Sequence, residues 1–122
     1  MVQVSDEQFQ QLINEALEAL PGEHAKNIKN IAILYEEDPT PEQRLTAHLT
    51  PQQTLLGLYE GRPLSSRQGM DRLYPDKITL FKGPLSRQAS DLDDLREGIK
   101  HTLWHEIAHY YGLDHGRIAE LE

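Results

Sequence analysis

The 122-residue chain contains no cysteine. A disulfide therefore cannot stabilise the fold and a thiolate cannot act as nucleophile or metal ligand, which leaves His, Asp and Glu for metal binding. Long apolar runs are also missing, since no stretch approaches the roughly eighteen apolar residues of a membrane helix. We expect no membrane partner. The amino terminus has no basic region followed by an apolar core, which predicts a cytoplasmic location.

Positive charge is scarce, because 12 Lys and Arg against 20 Asp and Glu give a net charge of −8 at pH 7. Proteins that bind nucleic acids usually carry a basic surface that displaces counterions from phosphates. We therefore expect no nucleic-acid partner. A chain of 122 residues can bury one modest core, and no linker or repeat divides it, so we predict a single domain over residues 1–122.

The most informative pattern is HExxHxxGxxH, which begins at His105. In a helix, His105 and His109 lie one turn apart, so both imidazoles can reach one ion. Glu106 lies about 100° around the helix from His105 and is placed to take a proton from a metal-bound water. Gly112 permits a turn that can return His115 to the ion. Three protein ligands and one open position are typical of a catalytic zinc site, whereas structural sites usually have four ligands.

By chance the extended motif is expected in about one of ten thousand sequences of this composition, and HExxH alone in about three of a hundred. We therefore predict a Zn²⁺ site with His105, His109 and His115 as ligands and Glu106 as the catalytic base. Asp114 is first a candidate helix cap, and second a substitute ligand or a hydrogen-bonding partner of a ligand. Imidazole sites accept other transition metals as well, although this ligand set favours zinc.

Local patterns predict an α+β fold with a small sheet of about three strands packed on helices. A capping box at Ser5 and Gln8 begins a first amphipathic helix that ends before Pro21. Three short apolar segments bounded by Pro, Gly or Asp predict strands over residues 28–35, 55–59 and 77–81. The last of these is expected to end before Gly83-Pro84. A helical turn is expected within residues 41–49, and a last short helix over residues 115–121.

The helix that carries the motif is predicted to begin at Ser90 or Asp91 as N-cap. Its first half is amphipathic, with Leu92, Leu95 and Ile99 on the apolar face. In its second half only one sector is polar, and that sector contains Thr102, His105, Glu106 and His109. The chemical half of this helix is therefore predicted to be buried, with its polar sector facing one opening.

The arrangement resembles the minimal zincin-like metallopeptidase family of bacteria, and the resemblance extends over nearly the whole chain. It is carried by the segments Ala19-Leu20-Pro21, Glu36-Glu37-Asp38-Pro39-Thr40, Leu56-Gly57-Leu58-Tyr59-Glu60-Gly61, Pro75-Asp76-Lys77-Ile78-Thr79-Leu80-Phe81, Thr102-Leu103-Trp104-His105-Glu106, Gly112-Leu113-Asp114 and Arg117-Ile118. It implies a zincin-like fold in which His105 and His109 bind the metal and Glu106 is the general base. In this family the third ligand is often an aspartate at the position of His115.

Motif and resemblance together favour zinc-dependent hydrolysis of peptide bonds, with a peptide or protein as the substrate. Zinc would polarise the scissile carbonyl and lower the pKa of its water, and Glu106 would pass the proton to the leaving amine. The strand predicted over residues 77–81 is expected to offer an edge to an extended substrate.

Two alternatives stay open. Bacterial nucleases that mature ribosomal RNA carry a similar HxxxHxxGxDH pattern, with glycine at the position of Glu106, so a metal-dependent endoribonuclease is the first. A non-catalytic binding module, in which zinc braces the terminal helix, is the second. His101 and His109 lie about 12 Å apart along a helix and cannot share one ion, so we expect His101 to be an exposed helix residue.

Overall fold

The computed structural model describes residues 1–20, 31–47, 49, 52–61 and 76–110. In chain order the elements are helix α1 (Asp6–Glu18), strand β1 (Ile31–Glu36), helix α2 (Pro41–Thr46), strand β2 (Gly57–Glu60), strand β3 (Asp76–Phe81), helix α3 (Lys82–Gln88) and helix α4 (Leu92–Tyr110). The three strands form one sheet, which confirms the predicted α+β fold. Within these ranges, none of the helices is long and apolar enough to cross a membrane.

Helix α1 begins as its sequence predicts. Ser5 Oγ accepts the Gln8 N–H at 3.1 Å, and Gln8 Oε1 accepts the Ser5 N–H at 2.9 Å, so the two residues form a capping box. The apolar face of the helix is buried through Phe9, Leu12, Ile13 and Ala16. This face is the surface against which the motif helix packs.

The strand order is β1-β3-β2, with β1 parallel and β2 antiparallel to β3. The expectation that residues 77–81 form an edge strand for substrate is therefore wrong, because β3 is paired on both sides. Its burial agrees with this position, since every residue of β3 except Lys77 is buried. The buried residues include the polar Asp76 and Thr79 as well as the apolar Ile78, Leu80 and Phe81.

The strand bounds differ from the predicted ones by a few residues. β1 ends at Glu36, and residues 28–30 of the predicted strand lie outside the described residues. β2 covers Gly57–Glu60 rather than residues 55–59. The predicted helical turn is confirmed as α2, where Thr40 and Gln43 form a second capping box. The short helix predicted over residues 115–121 also lies outside the described residues.

Helix α3 is absent from the prediction, which treated Gly83-Pro84 as the end of a strand. Pro84 is the third residue of this helix, where a backbone N–H has no partner within the helix, so proline is tolerated there. The Gly83 N–H donates to the carbonyl oxygen of Glu37 at 2.7 Å, and Arg87 forms an ion pair with Asp38 at 2.8 Å. These contacts fix α3 to the end of β1.

The main core lies between the sheet, α1 and α4. Its fully buried members from the sheet and α4 are Ile78, Leu80, Leu95, Ile99, Leu103 and Ile107. Leu92 does not belong to it and is 43% exposed, because it is the first residue of α4 and precedes the part of the helix that meets the core. A smaller cluster of Leu55, Leu58 and Phe81 lies apart from the main core.

The start of α4 selects one of the two predicted N-caps. Asp91 Oδ1 accepts the Asp94 N–H at 2.8 Å, and the Asp91 carbonyl oxygen accepts the Leu95 N–H at 2.9 Å. Asp91 therefore caps the helix. The Ser90 N–H donates instead to Asp94 Oδ2 at 2.9 Å, which steadies the residue before the cap.

Candidate metal centre

Two contacts with α1 fix the rotation of α4 about its own axis. The buried Trp104 Nε1–H donates to the carbonyl oxygen of Ala16 at 3.2 Å. About two helical turns earlier, Arg96 Nε lies 3.1 Å from Glu15 Oε2. Because these residues turn one side of α4 toward α1, the sector with Glu106 is directed toward β2.

The structure brings three of the predicted site residues together. The candidate ligand atoms of His105, Glu106 and His109 all lie within 4.8 Å of one another. The imidazole centroids of His105 and His109 are 4.6 Å apart, as expected for residues one helical turn apart. Both imidazoles are partly exposed, whereas Glu106 is only 8% exposed. The predicted burial of this half of α4, with its polar sector facing an opening, is confirmed.

These donors fit a single transition-metal ion. Imidazole nitrogens bind zinc at about 2.0–2.1 Å, so two such donors on a tetrahedral ion lie about 3.3 Å apart, which is inside the span of the cluster. Imidazole and carboxylate are also ligand types that zinc accepts. The described part of the chain therefore contains a group that fits a metal site.

Glu106 is held from two sides. Its Oε1 accepts the backbone N–H of Tyr59 at 2.9 Å and lies 3.4 Å from Nδ1 of His109. A hydrogen bond from a backbone amide to a carboxylate orients the group and stabilises its charged form. Because both contacts use Oε1, neither of these partners engages Oε2, the oxygen that remains for proton transfer.

The Tyr59 amide reaches Glu106 because the backbone N–H and C=O groups of successive residues in an antiparallel strand point alternately to its two sides. The Phe81 N–H donates to the carbonyl oxygen of Leu56 at 2.9 Å, so residues 56, 58 and 60 direct their backbone groups toward β3. Gly57 and Tyr59 direct their backbone N–H and C=O groups to the opposite side, which is the outer edge of β2. In the described part of the chain no strand pairs with this outer edge, and Glu106 accepts the Tyr59 N–H there.

Gly57 allows β2 to approach α4 closely. A Cβ at this position would lie 2.7 Å from Thr102 Cγ2 and 3.2 Å from Leu80 Cδ2, both shorter than ordinary contact. Sequence reasoning did not select Gly57 or Tyr59 as part of the site. A glycine inside a strand pattern is a known signal of close backbone approach, and this signal would have pointed to Gly57.

A cavity of about 230 Å³ adjoins the three-residue cluster. Its described lining residues come from the segment before and at the start of β2 and from α4: Thr54, Leu56, Gly57, His101, Thr102, His105 and Glu106. Since His105 and Glu106 belong both to the cavity wall and to the cluster, a molecule in the cavity touches the candidate metal centre directly.

His109 has a perturbed proton affinity in the metal-free arrangement. Its hydrogen bond with Glu106 raises the pKa of the imidazole above its ordinary value, and partial burial opposes this effect. A proton on the imidazole excludes a metal from the same nitrogen. Metal binding at His109 is therefore expected to release a proton and to weaken as the pH falls.

The remaining candidates are not all within the described residues. His115 and Asp114 lie outside them, so the identity of the third ligand stays a prediction. His101 is exposed, and its ring centroid lies 6.5 Å from that of His105 in a stacked arrangement. It is not a member of the candidate metal-binding group. His101 also lies on the wall of the cavity.

A small mixed sheet packed on a helix that carries a His-Glu-x-x-His cluster defines the zincin class of metallopeptidase folds. The sequence model of the zincin-like metallopeptidase family matches residues 28–122 of this chain, which therefore belongs to this family. A conserved hypothetical protein from Thermus thermophilus has a similar fold, with a TM-score of 0.60 and 23% identity over 93% of this chain and 99% of that one. No protein with a curated description matches the chain.

Proposed function

We propose that this chain is a zinc-dependent metallopeptidase that hydrolyses peptide bonds in a peptide or protein substrate. His105, His109 and His115 would hold the ion, with Asp114 as the substitute for His115, and Glu106 would be the general base. The observation that carries the proposal is the state of Glu106, a carboxylate only 8% exposed, held by the Tyr59 amide beside two imidazoles.

When bound, zinc supplies positive charge that polarises the scissile carbonyl and makes a water molecule more acidic. Glu106 takes the proton from the attacking water and passes it to the leaving amine. The Tyr59 N–H keeps Oε1 in place during both transfers, so that Oε2 can face the reacting atoms. Burial keeps the carboxylate away from bulk water, which strengthens its interaction with charge in the site.

The outer edge of β2 takes the role that the sequence assigned to residues 77–81. Gly57 directs its backbone N–H and C=O to this edge. An extended peptide can pair with these groups, since main-chain hydrogen bonds at a sheet edge are a common mode of peptide binding. Such a peptide would pass beside Glu106, because Glu106 is bonded to the same edge.

The same observation favours the peptidase over the two alternatives. The related nuclease pattern has glycine at the position of Glu106 and so has no carboxylate there. A zinc-braced binding module needs no general base, so it gives no reason for a buried carboxylate beside the two imidazoles. The predicted cytoplasmic location stays a prediction.

The test combines metal analysis with peptide cleavage in the full chain. Glu106→Gln is expected to retain about one zinc per chain and to lose about 10²–10⁴-fold in cleavage rate, the usual contribution of a general base. His115→Ala is expected to lose zinc, whereas Asp114→Ala retains it. Undiminished cleavage by Glu106→Gln would contradict the mechanism. RNA degradation that depends on the metal would favour the nuclease, and unfolding on zinc removal without any activity would favour the binding module.

A further inference from the structure

A second pair of histidines lies on the same helix as the candidate metal centre. His101 and His105 have the same spacing in α4 as His105 and His109, one helical turn. Their ring centroids lie 6.5 Å apart, and the two ring planes are inclined by 21°. Two histidines at this spacing on one helix face can bind one transition-metal ion. His101 is too far from His109 to share an ion with it, but it can share one with His105.

A small movement of one side chain brings this pair to binding distance. Imidazole nitrogens bind zinc at about 2.0–2.1 Å in a tetrahedral site, which places the centroids of two such rings roughly 5 Å apart. The separation of 6.5 Å exceeds this value by about 1.5 Å. His101 is exposed, and exposed side chains change rotamer within nanoseconds, so a rotation of His101 can supply the difference.

The pair faces the solvent side of the candidate metal centre. His101 and His105 both lie on the wall of the cavity of about 230 Å³, which has room for the water ligands of a bound ion. Along the helix His101 is exposed, His105 is partly exposed and Glu106 is only 8% exposed. An ion that arrives from solution therefore meets His101 before it reaches the buried part of the centre.

One histidine belongs to both pairs, so the two pairs cannot hold separate ions. A neutral imidazole coordinates through one nitrogen while the other carries a proton. An ion on His101 and His105 enters the centre when the bond to His101 breaks and a bond to His109 forms, with His105 bound throughout. The exchange is favourable because the centre also supplies the negative charge of Glu106.

We infer that His101 and His105 form a second, weaker metal site, which overlaps the candidate metal centre and passes its ion into it. The ligand is a divalent transition-metal ion such as zinc, and His101 is the entry ligand. The inference rests on the metal-binding part of the proposed function and does not depend on peptide cleavage.

The first experiment measures the pair by itself. In the full chain, His109→Ala and His115→Ala together remove the other proposed histidine ligands, and competition with a fluorescent zinc indicator gives the remaining zinc affinity. Adding His101→Ala is expected to weaken this affinity about tenfold or more, because a second imidazole on the same helix binds the ion intramolecularly. An affinity that does not change would overturn the pair.

A relocated imidazole is the matched control. Lys100→His combined with His101→Ala keeps a histidine on the helix but turns it about 100° around the axis. Lys100 lies on the side of the Trp104 ring, with Nζ 4.7 Å from its centroid. Removing the lysine charge by itself favours a cation, so an affinity as low as that of His101→Ala alone would support the positional argument. Restored affinity would overturn it.

The second experiment follows zinc entry into the otherwise unchanged chain by stopped flow with the same indicator. Because His101 has left the ion in the final state, His101→Ala should slow association and dissociation by the same factor, about threefold or more, and leave the Kd unchanged. A ligand of the final centre would change the Kd instead, and a purely structural histidine would leave both rates unchanged. Either of these results would overturn the entry role.

Parallel cleavage assays separate this inference from the proposed function. Zinc binding that does not depend on His101, together with peptide cleavage, would overturn the pair and leave the peptidase standing. Zinc binding and entry that depend on His101, without cleavage of any peptide, would support the pair and overturn the peptidase.

Discussion

Replacing Gly57 by alanine tests the close approach of β2 to α4. The new Cβ would lie 2.7 Å from Thr102 Cγ2 and 3.2 Å from Leu80 Cδ2. Added atoms in a packed core cost about 1–3 kcal/mol. Since Gly57 does not have a left-handed φ, alanine also regains about 0.4–1 kcal/mol by restricting the unfolded chain. We expect the free energy of unfolding to fall by about 1–2 kcal/mol.

The assay is denaturant unfolding of the metal-free chain, followed by the fluorescence of Trp104, the single tryptophan, which is buried at 8% exposure. Amide NMR supplies a second readout. If the methyl group moves β2 away from α4, the hydrogen bond from Tyr59 to Glu106 lengthens, and the Tyr59 amide signal shifts upfield.

A second substitution isolates the cause. Thr102→Ser removes Cγ2 and retains the hydroxyl, and alone it costs about 0.8 kcal/mol for the lost methyl group. Combined with Gly57→Ala it should recover about 1 kcal/mol, which a double-mutant cycle measures as coupling. Gly98→Ala in α4 is the matched control, because its Cβ would meet Leu85 Cδ2 at an ordinary 3.9 Å. Zero coupling, or equal destabilisation by Gly98→Ala, would refute the reasoning.

Other contacts give measurable outcomes. In the metal-free protein, Glu106→Gln should lower the raised pKa of His109 toward 6.5, as NMR titration would detect. Because the pKa of His109 is higher in the folded than in the unfolded chain, its contact with Glu106 stabilises the fold below pH 6.5. This contribution is lost as the pH rises through the folded pKa. Trp104→Phe leaves the Ala16 carbonyl without its donor and should cost about 1–3 kcal/mol in circular-dichroism unfolding; a smaller loss would mean that water replaces the indole. Asp91→Ala should cost about 1 kcal/mol and Asp91→Asn far less, and equal losses would argue against capping.

Local periodicity was sufficient for the elements whose structure depends on near neighbours. The predicted capping box at Ser5 joins residues three positions apart, so its partner Gln8 is visible in the sequence. The proximity of His105 and His109 follows from the helix repeat alone. The helix repeat also predicts the apolar faces of α1 and α4, apart from Leu92, the exposed first residue of α4.

Gly83-Pro84 was misinterpreted because a local signal had two meanings. Proline ends a strand, but it is also accepted in the first turn of a helix, and only the contacts of α3 with Glu37 and Asp38 distinguish the two. The position of β3 was misjudged for a related reason. Strand order depends on how the chain crosses between strands, and a short apolar segment carries no record of its neighbours.

The sequence by itself determined the donor set of the candidate metal centre, because one helical turn places His105, Glu106 and His109 on adjoining positions whatever surrounds them. Only the tertiary structure decided the state of the base. The amide that holds Glu106 belongs to Tyr59, 47 positions earlier in the chain, and the contact exists because Gly57 lets β2 pack closely on α4. Such a contact depends on the packing of a whole strand against a helix, which no local pattern in the sequence encodes.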